Sequence, residues 1–130
     1  MTTLLILDSD LHVRALLAQH CAAHGYRVLQ DATGTAGLTL VLTFTPHVVL
    51  VDRTLADIDG LAFAQRLRML PFIPQPILYL LGMDQRAALI DVEQRETFPK
   101  PLDVAQVLTR LLQDAPPAGD ALRHQTRGML

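Results

Sequence analysis

Five short strand-like runs recur along this chain, and each gives way to a stretch whose apolar residues fall at helical spacing. The runs are Thr3–Leu7, Tyr26–Leu29, Val48–Val51, Ile77–Leu81 and Glu96–Phe98. The helical stretches are Leu11–His24, Thr33–Phe44, Gly60–Met69, Asp84–Glu93 and a last one that Asp103 caps, carried by Val104, Val107, Leu108, Leu111 and Leu112. Strand then helix, five times over, implies a parallel sheet covered on both faces by right-handed crossovers. The expected fold class is α/β: a (βα)5 flavodoxin-like, doubly wound parallel sheet with strand order 2-1-3-4-5.

Punctuation supports these boundaries. Asp10 or Ser9 can cap the first helix, and Gly25 can stop it. Gly34 and Gly37 weaken the second helix, and Pro46 bars its continuation. Pro71 to Pro76 is a proline-rich connector. From Ala115 the cluster APPAGD breaks the pattern, so residues 1–113 read as one domain and 114–130 as a C-terminal tail or truncated linker. A length of 130 residues, half of them hydrophobic, suits one packed domain.

The most informative run is the third. Val48–Val51 is apolar with the β-branched bias of a buried strand, and it breaks into polarity at Asp52. An acid at the carboxyl end of such a strand lies where open parallel sheets bind their ligands. In the expected order, strands 1 and 3 are neighbours, so Asp8 and Asp10 after the first would meet Asp52 after the third. Like charges about 4 Å apart repel by roughly 1 to 4 kcal/mol. A hard divalent cation with oxygen ligands, Mg2+, and the ammonium of Lys100 after strand 5 would offset that. Ten of the eleven basic residues are Arg, and Lys100 is the exception. A compact ammonium on a flexible stem differs from a planar guanidinium, so the choice fits a special position.

Other features read as structural. Asp57 and Asp59 read as loop and capping residues near Gly60. Cys21 is alone on an apolar helix face and reads as a core thiol. Phe44, Phe63 and Phe72 read as core or interface residues, and the five His are scattered. Net charge is −2 with no basic stretch, so composition gives no sign of direct nucleic-acid binding. There is no basic n-region before the first apolar run and no apolar run of membrane-spanning length, so the chain reads as soluble and cytoplasmic.

These residues resemble a family: the receiver domain of bacterial two-component response regulators, over roughly residues 3 to 113. LLILDSDLHVR is similar to its acidic opening, VVLVDRTLADIDGLAF to its phosphoacceptor strand and loop, and FPKPLD to its Lys-Pro signature. The resemblance implies that Asp52 accepts a phosphoryl group from a sensor histidine kinase or phosphotransfer protein. It implies Asp8, Asp52 and the backbone carbonyl of Thr54 as Mg2+ ligands, with Ser9 a candidate further one. It implies Lys100 as the phosphoryl-binding cation, a cis Lys100–Pro101 bond, and a signalling module with no independent turnover. The chemistry is sound: a carboxylate is a competent phosphoryl nucleophile, and the transfer asks mostly for positioning and charge neutralisation.

The departures are equally specific. Ser9 stands where the family has a second acid, so Mg2+ binding is expected to be weak. Leu81 stands where the family has Thr or Ser, and Thr97 where it has an inward-turning aromatic. Ala56 replaces a usual Pro, and the segment from Leu81 to Lys100 is short, which weakens the case for the fourth helix. Switching is therefore expected to be impaired. The surface of the fourth helix, fifth strand and fifth helix is the candidate for a homodimer. The alternative function is a phosphorylation-independent pseudo-receiver, a protein-interaction or dimerisation module. A small-ligand-binding flavodoxin-like protein is a distant third, because no Gly- or Ser/Thr-rich phosphate loop follows strand 1.

Overall fold

A computed structural model describes residues 1–71, 75–82 and 95–117. The order is β1 (Thr3–Leu7), α1 (Leu11–Ala23), β2 (Arg27–Asp31), α2 (Gly34–Phe44), β3 (Val48–Asp52), α3 (Gly60–Arg68), β4 (Ile77–Leu81), β5 (Arg95–Phe98) and α4 (Val104–Asp114). The five strands form one parallel sheet in the order β2-β1-β3-β4-β5, as the alternation predicts. The helix expected over Asp84–Glu93 and the side chain of Phe72 lie outside the described residues.

The side-chain period of two sorts the strands into two cores. Leu4, Ile6, Leu50, Tyr79 and Leu81 point to one face, where Leu17 and Cys21 of α1 and Val107 and Leu111 of α4 cover them. Leu5, Leu7, Val49, Val51, Leu78 and Leu80 point to the other, under α2 and α3, with Phe63 and Leu67 packed against them. β1 and β3 are buried along their whole length, which is why their sequences are continuous apolar runs rather than alternating ones.

Side chains set the helix starts. Asp10, not Ser9, caps α1: its Oδ1 accepts from the amides of His12 at 2.9 Å and Val13 at 3.4 Å. Thr33 caps α2, Asp59 caps α3 and Asp103 caps α4. Gly34 and Gly37 do not break α2; both are buried on its inner face. β2 starts one residue later than expected and runs on to Asp31. It is an edge strand with exposed Arg27 and Gln30, so its bounds follow backbone pairing with β1 rather than an apolar pattern. Phe63 is core, whereas Phe44 is partly exposed at the end of α2, with the Arg27 guanidinium 5.3 Å from its ring centroid. Among the described residues, no helix is long and apolar enough to cross a membrane.

Candidate phosphoacceptor site

Register places the site. Leu7 pairs with Val51, so Asp8 follows β1 directly beside Asp52, the last residue of β3. Asp52 pairs with Leu81 of β4, and Leu81 with Phe98 of β5, two residues before Lys100. The carboxyl ends of β1, β3 and β5 thus deliver two acids and a lysine to one crevice.

Lys100 Nζ lies 2.9 Å from Asp8 Oδ2 and 3.1 Å from Asp52 Oδ1. It also donates a hydrogen bond to Asp8 Oδ1 at 3.2 Å. The Asp8 side chain is fully buried and that of Asp52 nearly so, while Lys100 reaches in from a partly exposed position. The cation offsets much of the repulsion between the acids. Burial still raises the Asp52 carboxyl above its ordinary pKa: a hydrogen bond from Lys100 pulls it back, the charge of Asp8 adds to the rise, and the net direction is up. Burial pulls the Lys100 ammonium down, but hydrogen bonds to Asp8 and Asp52 outweigh that and raise it overall. The Lys100–Pro101 peptide is cis.

The backbone around Asp8 is braced. Asp8 Oδ1 accepts the Asp10 amide at 2.9 Å, and Arg14 Nη1 donates to the Asp8 carbonyl at 2.7 Å. The third acid, Asp10, does not join the crevice, because its carboxylate turns to cap α1. The convergence of three acids is corrected to two: a local cap bond competes successfully with a more distant, like-charged cluster.

The donor set is a hard-oxygen one. Asp8 Oδ2 is buried and meets Lys100 Nζ at 2.9 Å as an ion pair, with no other polar partner among the described residues. Asp52 supplies a second carboxylate and Thr54 a backbone carbonyl. These oxygens suit Mg2+ in kind, one carboxylate short of a richly charged site. Ser9, at the expected position of a further ligand, donates its hydroxyl to the Thr54 carbonyl at 3.0 Å. No group of three His, Cys, Asp or Glu placed to hold a metal occurs among the described residues.

The flank expected to carry a switching hydroxyl is apolar. Leu81 is fully buried in the core with Tyr79 and Phe98, on the α1/α4 side of the sheet. The residue beside Asp52 is instead Gly82, at φ +79. A Cβ built there would lie 3.4 Å from both Asp52 Oδ1 and Lys100 Cδ. Thr97, on β5, is half-buried. The aromatic next to it, Phe98, is committed to the core, edge-on to Tyr79 with centroids 5.5 Å apart. Asp59 caps α3 as expected, but Asp57 reaches across to α2. That contact spans 23 residues, and no local sequence signal marks it.

A doubly wound domain with two acids and a lysine at its topological switch point defines a class, the phosphoryl-accepting modules of two-component signalling. The chain matches the response regulator receiver domain family over residues 4–112 and belongs to it. It is 27% identical over 112 residues to the KDP operon transcriptional regulatory protein KdpE of Escherichia coli, covering 85% of this chain and 50% of that protein. It is 25% identical over 114 residues to the transcriptional regulatory protein KdpE of Mycobacterium tuberculosis, again covering 85% and 50%. The chain thus spans about half the length of these curated relatives. Among solved structures, the chemotaxis response regulator CheY4 of Vibrio cholerae superposes with a TM-score of 0.77 at 19% identity, covering 87% of this chain and 98% of that one. A CheY-like receiver domain from Methylobacillus flagellatus gives 0.75 at 21%, with the same coverage. At such identities the structural likeness speaks for the fold.

Proposed function

We propose that this chain is a receiver in which Asp52 takes a phosphoryl group from a phosphohistidine of a sensor kinase or phosphotransfer protein, in the cytoplasm. The supporting observation is Lys100 Nζ held between the carboxylates of Asp8 and Asp52. An Asp52 oxygen would attack phosphorus, the P–N bond to the donor imidazole would break, and an acyl phosphate would form. Lys100 is placed to stay with the transferred oxygens and neutralise them. Asp8, Asp52 and the Thr54 carbonyl would hold Mg2+, whose charge would further neutralise the phosphoryl oxygens. Ser9 would share that carbonyl with the metal and bring no charge of its own, which favours weak binding. The module signals through its own modified state and needs no turnover.

The test is intact-mass spectrometry after incubation with acetyl phosphate and Mg2+. The expected result is one added phosphoryl group, abolished in Asp52→Asn. If no phosphoryl group is taken up by a folded chain, the reading falls and a phosphorylation-independent interaction module replaces it.

A further inference from the structure

The loop after β3 carries a carboxylate that the acceptor chemistry does not use. Asp57 Oδ1 accepts the amide of Gly34 at 2.7 Å, and its Oδ2 accepts both the amide of Thr35 at 2.9 Å and the Thr35 hydroxyl at 2.6 Å. These are the first amides of α2, donors that the helix cannot satisfy itself. Thr33 satisfies only the next, that of Ala36 at 3.2 Å, and the first turn of α2 contains no acid of its own. The missing negative charge comes from another loop. Its hydrogen bonds, led by that from the Thr35 hydroxyl, hold the Asp57 carboxyl far below the usual carboxylate range.

The contact is close as well as charged. A Cβ on Gly34 would fall 2.6 Å from Ile58 Cγ1, so the loop tip rests directly on the start of α2. The other end of the loop is tied to the acceptor. Gly60 donates its amide to the Arg53 carbonyl at 2.7 Å, and Thr54 pairs with Asp59 in an isolated antiparallel bridge. Leu55 between them is buried in the α2/α3 core. A tip held at Asp57 therefore fixes Thr54, the residue whose carbonyl faces Ser9, two positions beyond Asp52.

We propose that Asp57 is a positioning residue of the acceptor site: by capping α2 it latches the loop after β3, and so sets where the Thr54 carbonyl stands beside Asp52. The proposal rests on the reading of Asp52 as acceptor for its effect on rate, though not for its effect on geometry. It also makes α2 a lever on the site, since a partner that shifts the start of α2 pulls on Asp57.

The experiment compares Asp57→Ala, Asp57→Asn and Thr35→Val in the full chain, by NMR of the free protein and by acetyl-phosphate phosphorylation rate. In Asp57→Ala the resonances of Thr54 and Ser9 are expected to move and the rate to fall about tenfold, a misplacement smaller than the ~1 Å that costs about 100-fold. Asp57→Asn keeps one acceptor oxygen for Gly34 but turns an NH2 toward the Thr35 amide and loses the charge, so it is expected to recover only part of both. Thr35→Val is expected to give a partial effect that adds nothing in the Asp57→Ala background, as one shared contact requires. A folded Asp57→Ala chain with a lowered Tm but wild-type Thr54 shifts overturns the proposal and leaves a helix cap only. Wild-type phosphorylation rates in that variant overturn it too. If the wild-type chain takes no phosphoryl group, the reading of Asp52 fails, and the Thr54 shifts alone decide the latch. If Asp57→Ala does not fold, the same comparison is made with Thr35→Val, where unmoved Thr54 shifts count against the proposal.

Discussion

Lys100 Nζ stands 3.1 Å from Asp52 Oδ1 and is the cation that makes a second buried acid tolerable in this crevice. Burial and the charge of Asp8 both push Asp52 toward its neutral form, and Lys100 opposes them. Lys100→Met keeps the stem and removes the charge. The Asp52 titration midpoint is then expected to move further up, read by NMR of the carboxyl carbon against pH. Lys100→Arg is not expected to restore it, because a planar fork does not replace a compact ammonium between two carboxylates. An unchanged midpoint in Lys100→Met would show that the ion pair does not govern Asp52.

Ser9 holds the Thr54 carbonyl with its hydroxyl at 3.0 Å, where a metal-binding acid would instead add charge. Ser9→Asp is expected to tighten Mg2+ binding about tenfold, the equivalent of ~1.4 kcal/mol. The substitution removes the hydroxyl's bond to that carbonyl and supplies a charged ligand. Calorimetric titration of the two chains checks this. No gain would mean that Ser9 lies off the path of the metal.

Much of this site was legible because it depends on strand order. Once the alternation gave 2-1-3-4-5, an acid after β1, an acid ending β3 and a lysine after β5 had to converge. The sequence offered Asp10 both as a cap of the first helix and as a third acid of the crevice, and only the side-chain rotamer chose the cap. Nor could the sequence find the Asp57 contact, whose partners sit 22 and 23 residues upstream at the start of α2. The choice between Leu81 and Gly82 as the residue facing Asp52 depends on a left-handed turn at Gly82, which shows only in the backbone. β2 was displaced for a related reason: an edge strand carries polar residues, and its ends follow hydrogen bonding.

The Asp57 carboxyl, lowered from its ordinary 3.8 by its contacts with α2, makes stability pH-dependent. A depressed folded pKa contributes stability that is present above the unfolded value and is lost as pH falls through the folded one. The urea midpoint of wild type is therefore expected to exceed that of Asp57→Ala most clearly above pH 4, with the gap closing as pH drops well below 3.8. A gap that persists unchanged into strong acid would assign the effect to something other than the carboxylate.

Cys21 is fully buried between α1 and the sheet, and burial pushes its thiol up to about 11. The reactive species is the thiolate. At pH 8 the folded chain is expected to react with a disulfide reagent only as fast as it opens, and fully once urea unfolds it. Rapid labelling of the folded protein would place Cys21 at the surface.

The last prediction concerns what a phosphoryl group can move. A group that interacts equally in two states shifts no equilibrium between them. At the flank of Asp52 the residues are Leu81, buried against Tyr79 and Phe98, and Gly82, which has no side chain. Neither can hydrogen-bond a phosphoryl oxygen through a hydroxyl. On β5, Thr97 is too small to act as an aromatic lever, and Phe98 is held in the core. Leu81 fixes this arrangement: Leu81→Ala is expected to cost roughly 2–5 kcal/mol of stability, as for other buried leucines. Beryllofluoride with Mg2+, a phosphoryl mimic, is therefore expected to shift NMR resonances in the loops around Asp8, Asp52 and Lys100. It is expected to leave Thr97 and α4 nearly unmoved, and partner contacts on β5 and α4 would then be nearly independent of phosphate. Large changes running from Asp52 through Thr97 into α4 would refute this. They would mean that the chain transmits its signal through backbone shifts rather than through a side-chain switch.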